Sequence, residues 1–122
     1  MKVKMYCIFA KEAITKMNGV RGKMCTQAGH AYVHTLMNAL EQFPEQAQEY
    51  LDGDHAYKIT LVVDTVEELE QLQEAYKNVT ATKLVIDKGF TVFTEPTTTC
   101  LGIGPLRDDL KGEDLALTKL FM

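Results

Sequence analysis

The sequence predicts an α/β fold in which a small mixed sheet of about four strands is covered by helices on both faces. Segments rich in β-branched and aromatic residues alternate with segments whose apolar residues recur at helical spacing. No repeat, low-complexity tract or linker interrupts the 122 residues. We therefore expect one domain over residues 1–122, which is long enough to bury about two thirds of the surface that the unfolded chain exposes.

The first half of the chain predicts one strand followed by a long helix. Residues 2–10 alternate loosely and contain Val, Ile, Tyr and Phe, which favours a strand. Residues 13–22 contain two glycines and predict a loop with at most a helical turn at its start. A helix is expected from Arg21 until Pro44 interrupts it, followed by a short helix over residues 45–51. The residues expected on the buried face of the long helix are Met24, Ala28, Ala31, Tyr32, Thr35, Leu36, Ala39 and Leu40.

Three further strands and one helix are expected in the second half. The strands are residues 57–63, 82–86 and 97–101. Asp64 or Thr65 could cap the helix between the first two of them. Its apolar face combines Val66, Leu69, Leu72 or Gln73, and Tyr76. Helical crossovers favour parallel pairing of the first three strands, whereas the short connection after Asp87 allows an antiparallel or mixed edge.

The C-terminal part predicts a turn and a short helix. Residues 102–105, Gly-Ile-Gly-Pro, are typical of a turn, with Pro105 opening a helix that Gly112 closes. They lack the lysine and the spacing of a P-loop, which argues against nucleotide triphosphate binding. Residues 115–122 are apolar enough to pack back onto the body of the protein.

Charge is distributed unevenly along the chain, whose formal net charge is −4. Residues 1–24 carry six basic groups and one acid, whereas residues 41–76 carry ten acids and one base. A one-sided field of this kind can attract a polyanion although the total charge is negative. The alternative is that the acidic segment is only a solvated helical surface. The six basic residues are Lys2, Lys4, Lys11, Lys16, Arg21 and Lys23.

Hydropathy and cysteine content exclude several classes of protein. No apolar run approaches the roughly 20 residues of a membrane helix, and the N-terminal apolar stretch is too short for a signal peptide. We therefore expect a cytoplasmic protein that does not associate with membranes.

Cys7, Cys25 and Cys100 form no zinc-ligand pattern, and no metal or other cofactor is expected. We interpret them as reduced, mostly buried thiols. Cys25 is the alternative catalytic candidate because it lies near a helix start and Lys23.

A stripe of polar side chains follows the predicted long helix. Lys23, Gln27, His30 and His34 stand at i, i+4, i+7 and i+11, so they share a face beside the apolar one. Arg21 and Lys23 lie in the first turn, where a bound anion would offset their unfavourable interaction with the helix dipole. Taken alone, Lys23 and Gln27 are typical of a helix surface, and a lone helical histidine is more often structural than catalytic.

A second polar group follows the third strand. Asp87 ends that strand before Lys88, where an acid either closes a turn or orients a water or a ribose hydroxyl. Alternation along the fourth strand sends Thr97 and Thr99 to one face and Thr98 to the other. Threonine is also a good strand former, so its abundance alone does not identify a site. The five nearby hydroxyls are Thr91, Thr94, Thr97, Thr98 and Thr99.

Together these motifs resemble the signature of the archaeal/eukaryotic-type peptidyl-tRNA hydrolases, the Pth2 family. The resemblance covers essentially the full chain. It implies hydrolysis, without a metal, of the ester between a peptide and the 3′ ribose of tRNA, which recycles tRNA from stalled translation. The matching residues are Gly22, Lys23, Gln27, His30, Ala31, Asp87, Gly89, Thr91, Thr97, Thr99, Leu101, residues 102–105 and residues 119–121.

The same resemblance implies roles for individual residues. The implied catalytic residues are Lys23, Asp87, Thr91 and Thr99. The implied supporting or substrate-binding residues are Gln27, His30, Arg21, Thr97 and Lys88. Peptidyl-tRNA is the expected partner, and a homodimer is a further expectation. Which residue acts as general base stays open, as does whether the tail packs within the chain or on a second subunit.

This chain departs from the family pattern in the loop before Gly22, which is one residue longer, and at three places around the second motif. Lys88 stands where the family has a small residue, Phe90 stands where a basic residue is usual, and Glu95-Pro96 replaces a Pro-Gly pair. These changes concern tRNA contacts more than chemistry. The alternative function is therefore a divergent member that serves as an RNA- or protein-binding module. A third alternative is an esterase or amidase that acts on another substrate.

Overall fold

Five strands form a mixed sheet in the computed structural model of this chain, which describes residues 2–89 and 95–122. The strands are β1 (Val3–Ala10), β2 (Lys58–Val63), β3 (Thr82–Asp87), β4 (Thr97–Arg107) and β5 (Lys119–Leu120). The helices are α1 (Lys11–Met17), α2 (Arg21–Gln42), α3 (Pro44–Asp52), α4 (Val66–Tyr76) and α5 (Glu113–Ala116), with a 3-10 turn at Asp108–Leu110. The strand order across the sheet is β3-β4-β1-β2-β5.

The pairing of the strands brings the C-terminal ends of three strands to the same end of the sheet. β1 and β2 are parallel, whereas β4 is antiparallel to both β1 and β3. β3 therefore runs in the same direction as β1 and β2, but it is not hydrogen-bonded to β2, because β4 and β1 lie between them. The expected parallel pairing of β1 with β2 is confirmed, and that of β2 with β3 was wrong. β3 is an edge strand antiparallel to β4, which is one of the two arrangements that the sequence allowed. The C-terminal ends of β1, β2 and β3 lie at the same end of the sheet as the start of β4.

Helices cover both faces of the sheet, which confirms the expected fold class. Alternate residues of β1 point to opposite faces, so Ile8 packs with Leu69 of α4 and Phe9 packs with Ala31 of α2. Ile8 and Phe9 are almost completely buried, and each contributes about 1.5–3 kcal/mol of hydrophobic stabilisation. The C-terminal tail packs within the chain, because β5 pairs with β2 and the ring of Phe121 meets that of Phe9 edge-on.

The expectation for the segment between β1 and α2 was wrong. Residues 13–22 were expected to form a loop, but α1 makes two helical turns that bury Ala13 and Met17. Burial of these side chains outweighs the weak helical preference of the segment. Asn18 and Gly19, both with positive φ, then end α1.

The Gly-Ile-Gly-Pro segment lies inside β4 and not in a turn before a helix. Pro105 falls at an irregularity in the pairing of β1 with β4, where a strand tolerates a residue without a backbone N–H. Its carbonyl accepts a hydrogen bond of 2.6 Å from the Thr80 hydroxyl. Gly112 precedes α5 and does not close a helix. The predicted cap at Thr65 is confirmed, since its hydroxyl oxygen accepts from the Glu68 N–H.

Helix α2 lies directly on β4, which fixes the position of its polar side chains. A Cβ atom at Gly102 would lie 2.0 Å from Thr35 Oγ1 and 2.6 Å from the Ala31 carbonyl oxygen, so only glycine permits this approach. The fully buried residues of α2 are Gln27, Ala31, Thr35 and Ala39. Leu40 was expected in the core but is 48% exposed. The buried face therefore passes through Gln27.

Candidate active site

An open cleft lies between α2 and the edge strand β3. Its volume is about 760 Å³. One wall consists of Lys23, Gln27, His30 and His34 from α2, and the other consists of residues 83–88. The predicted helical stripe and the end of the third strand therefore face each other across one cavity. Such a concave site with converging polar groups is the usual form of a binding or catalytic centre.

Lys23 and Asp87 form an ion pair at one end of this cleft. Lys23 Nζ lies 2.5 Å from Asp87 Oδ2, and the side chains are only 15% and 9% exposed. An ion pair sheltered to this degree is screened less by salt than a surface pair. Lys23 and Asp87 meet because α2 begins at the same end of the sheet at which β3 ends.

Three donors from the described part of the chain surround the Asp87 carboxylate. In addition to Lys23, Gln27 Nε2 donates to Oδ2 at 3.1 Å and the Gly89 backbone N–H donates to Oδ1 at 2.8 Å. Burial raises the pKa of Asp87, but the hydrogen bonds from Lys23, Gly89 and Gln27 and the charge of Lys23 outweigh it and lower the pKa below its ordinary value. Asp87 is therefore ionised at neutral pH.

Gln27 connects Asp87 to the buried hydroxyl of Thr99. The Thr99 hydroxyl donates to Gln27 Oε1 at 2.7 Å, and both residues are buried. Because the ionised carboxylate of Asp87 can only accept, the amide of Gln27 must turn its NH₂ group to Asp87 and its oxygen to Thr99. The backbone carbonyl of Gln27 accepts in turn from the Cys100 thiol at 3.5 Å.

A bulge in β4 turns Thr99 towards α2. The register between β3 and β4 shifts between Val85, which pairs with Cys100, and Ile86, which pairs with Thr98. Thr99 is therefore an extra residue on β4. Thr99 and Cys100 both contact Gln27, so two successive side chains reach the same face.

Gly89 allows the chain to fold back onto Asp87. Its φ is +88°, and a Cβ atom there would lie 2.9 Å from the backbone carbon of Glu95. Only glycine meets both conditions without strain. This turn gives the Gly89 N–H its position against Asp87 Oδ1.

The other predicted site residues occupy the following positions. His30 and Lys88 line the cleft and are exposed, and the rings of His30 and His34 are in edge-on contact. The Thr97 hydroxyl donates to the Glu95 carbonyl at 3.0 Å. Arg21 is exposed at the start of α2 and is not part of the described cleft wall. Thr91, and with it Phe90, lies outside the described residues.

The burial of Gln27 was not predicted, and neither were the positions of Lys83 and His34 in the cleft wall. Gln27 was typical of a helix surface by its sequence context, yet it is 2% exposed and central to the polar network. Lys83 and His34 also line the cleft. The i, i+4, i+7, i+11 spacing did contain the signal for His34, whereas only the strand order reveals Lys83.

The basic residues of the N-terminal segment divide between the two ends of the sheet. Lys4 pairs with Asp108 at 3.3 Å and Lys2 lies over the ring of Tyr57, both at the end away from the cleft. The remaining four belong to the end of the sheet where Asp87 lies. They are Lys11, Lys16, Arg21 and Lys23.

The cysteines show no arrangement of a catalytic or metal site. Cys7 and Cys100 are buried and Cys25 is exposed. A hydrogen bond with Cys100 and burial raise the pKa of the Cys7 thiol, which disfavours the thiolate. Residues 2–89 and 95–122 contain no group of three His, Cys, Asp or Glu side chains that could hold a metal ion. Within the same ranges, no helix has both the length and the apolar character to cross a membrane.

Comparison with known proteins finds one matching family model and several relatives. The family model described as peptidyl-tRNA hydrolase PTH2 matches residues 3–112. A peptidyl-tRNA hydrolase of Pyrobaculum aerophilum is 33% identical over 110 residues, covering 82% of this chain and 85% of the relative. One from Methanopyrus kandleri is 34% identical over 90 residues, covering 73% and 76%. One from Thermoplasma volcanium is 29% identical over 98 residues, covering 76% and 83%.

Proposed function

Since the chain belongs to the peptidyl-tRNA hydrolase PTH2 family, we propose that it hydrolyses the ester bond between a peptide and the 3′ ribose of tRNA. The observation that carries this proposal is the hydrogen-bonded network of Lys23, Asp87, Gln27 and Thr99 at one end of an open cleft. A tRNA substrate implies a cytoplasmic reaction, and the homodimer stays a prediction.

The chemistry of the ion pair suggests separate roles for its two members. Ester hydrolysis develops negative charge on the carbonyl oxygen, and a positioned ammonium group stabilises that charge. We assign this role to Lys23. Asp87 is a weak base because its pKa is lowered. Its carboxylate therefore serves to hold Lys23 in place and to accept a hydrogen bond from the attacking water.

Gln27 and Thr99 are positioning residues in this proposal. The Thr99 hydroxyl fixes the orientation of the Gln27 amide, and the amide holds Asp87 Oδ2 on the side of Lys23. Such preorganised donors cost no rearrangement when the reaction occurs. That the Thr91 hydroxyl holds the substrate or the attacking water stays a prediction.

The cations around the cleft supply the interaction with tRNA. Arg21 and Lys88 are exposed at the same end of the sheet as the ion pair, and the exposed His30 ring lies beside them as a further hydrogen-bonding group. Phosphate contacts by such residues dominate nucleic-acid affinity and are largely independent of sequence. The net charge of −4 does not oppose this, since four of the six basic residues of the N-terminal segment lie at the end of the sheet where Asp87 lies.

The direct test is hydrolysis of an N-acetyl-aminoacyl-tRNA by the pure protein without added metal, compared with Asp87→Ala. Asp109→Ala, which removes an exposed acid, is the matched control. Turnover that is lost in Asp87→Ala and retained in Asp109→Ala supports the proposal. Tight tRNA binding without turnover would instead indicate the RNA-binding module, and turnover of simple esters without tRNA dependence would indicate a general esterase.

A further inference from the structure

We propose that the peptide part of the substrate binds as an additional strand along the open edge of β3, beneath α2. This inference rests on the proposed function, because it assigns the rest of the cleft to one part of the same substrate. The ester would lie at the Lys23–Asp87 end, and the peptide would extend back towards Lys83 and His34.

β3 lies at a lateral edge of the sheet. β3 is the last strand in the order, so one of its edges has no neighbouring strand among residues 2–89 and 95–122. The Gly104 N–H donates to the Ala81 carbonyl at 2.9 Å, and Thr82 pairs with Ile103. Backbone groups alternate along a strand, so those of Lys83 face β4 and those of Thr82 and Leu84 face outward.

The cleft follows this edge without interruption from the ion pair. Residues 83–88 all contribute to its wall, and α2 contributes His30 and His34 opposite them. Six residues of strand span about 20 Å, which matches a peptide of four to six residues. Because the esterified C-terminus lies at the Asp87 end, the peptide would run parallel to β3.

Edge pairing also suits the chemical variety of the substrate. Nascent peptides differ in every side chain and share only their backbone, so recognition of all of them requires backbone hydrogen bonds, as strand addition provides. Ile86 is 57% exposed and offers an apolar contact that requires no particular partner.

Two other occupants fit this edge less well. A phosphate chain carries only acceptors, so it could pair with the outward N–H groups of Thr82 and Leu84 but would leave their carbonyls without donors, whereas a peptide backbone satisfies both. A second copy of the chain paired through this edge would bring the exposed Lys83 of each copy into the interface, and a lysine at a strand edge disfavours such pairing.

A main-chain methylation scan tests the proposal with the unaltered protein. The substrates are acetyl-tetrapeptidyl-tRNAs that carry a single N-methyl group at each peptide bond in turn. In a parallel pair, only every second peptide residue bonds to the β3 edge. Methylation at those residues should raise KM about 3- to 10-fold, the effect of removing one hydrogen bond. Methylation at the intervening residues is the matched control and should leave KM nearly unchanged.

The length of the peptide gives a second measurement. KM should fall from N-acetyl-aminoacyl-tRNA to the acetyl-tetrapeptidyl substrate and then level off. Equal KM values for the two substrates, or a methylation effect without alternation, would overturn the inference. A dimer in sedimentation whose two Lys83 side chains can be cross-linked, and which the tetrapeptidyl-tRNA does not dissociate, would also overturn it. Turnover of the unmethylated substrates measures the proposed function separately, so the two proposals can fail independently.

Discussion

Lys23 Nζ and Asp87 Oδ2 lie 2.5 Å apart, one from the first turn of α2 and the other from the last residue of β3. A charge-assisted hydrogen bond of this kind is roughly twice as strong as a neutral one. The two side chains meet because β3 ends at the end of the sheet where α2 begins. The pair therefore depends on the sheet topology, and any change that displaces α2 from β4 should alter it.

Replacement of Lys23 by Ala should lower kcat far more than it raises KM. If the ammonium stabilises charge that develops only in the transition state, its removal should reduce kcat about 10²- to 10³-fold. Steady-state hydrolysis of N-acetyl-aminoacyl-tRNA measures both parameters. Lys77→Ala, at an exposed site that follows α4, is the control. An effect confined to KM would make Lys23 a substrate-binding residue.

Replacement of Thr99 by Val should disturb Asp87 although the two side chains are not in direct hydrogen-bond contact. The change removes the donor to Gln27 Oε1 and leaves a buried amide oxygen unsatisfied, which costs about 1–3 kcal/mol of stability. We expect kcat to fall about tenfold with little change in KM. Thr98→Val is the matched control, since Thr98 pairs with Ile86 and lies on the other face of β4. Equal kcat values for the two variants would contradict the positioning role.

Sequence spacing predicted part of the candidate site because side chains return to the same face of a helix about every 3.6 residues and to the same face of a strand every second residue. Lys23 and His30 lie on the cleft side of α2, as their i, i+7 spacing requires. The burial of Gln27 could not be predicted, because a polar residue enters a core only where partners from distant segments satisfy it. Those partners are Asp87 and Thr99, and Thr99 reaches Gln27 only through a bulge that leaves no mark on the sequence.

The fold class followed from the alternation of strands and helices, but the neighbours of each strand did not. β4 pairs with β1 and carries α2 close against Gly102, and both are contacts between segments far apart in the sequence. The same limitation explains the error at residues 102–105. Glycine and proline usually mark turns, but here they permit a close contact and occupy an irregular position in a strand.

Asp87 should make stability depend on acid pH. Its folded-state pKa lies below the ordinary value of about 3.9, so the unfolded chain binds more protons in acid. Its contribution is therefore complete above about pH 4 and is lost as pH falls through the folded-state pKa. Urea unfolding between pH 7 and pH 3 should show a steeper acid loss for the parent protein than for Asp87→Asn. Glu70→Gln, at an exposed site, should keep the parent slope. Identical slopes for all three proteins would contradict the lowered pKa.

Gly102 and Gly29 should respond in opposite ways to replacement by alanine. Gly102→Ala places a methyl group against Thr35 Oγ1 and the Ala31 carbonyl, so we expect a loss of about 1–3 kcal/mol and lower activity as α2 shifts. Gly29 lies in α2, and a Cβ atom added there would meet nothing within 4 Å, so Gly29→Ala should raise stability by about 0.5–1 kcal/mol. Thermal unfolding distinguishes them. Stabilisation by Gly102→Ala would show that α2 does not rest on β4 as described.

The salt dependence of tRNA binding should identify which end of the sheet faces the phosphates. Arg21 and Lys16 belong to the end with the ion pair, whereas Lys4 pairs with Asp108 at the opposite end. Removal of one phosphate contact reduces the slope of log Kd against log salt concentration by about 1. We expect this reduction, with weaker binding, in Arg21→Ala and Lys16→Ala but not in Lys4→Ala. The measurement is a fluorescence anisotropy titration of labelled tRNA at a series of salt concentrations. If Lys4→Ala alone lowered the slope, tRNA would bind at the end of the sheet away from Asp87, which is incompatible with cleavage of its ester in this cleft.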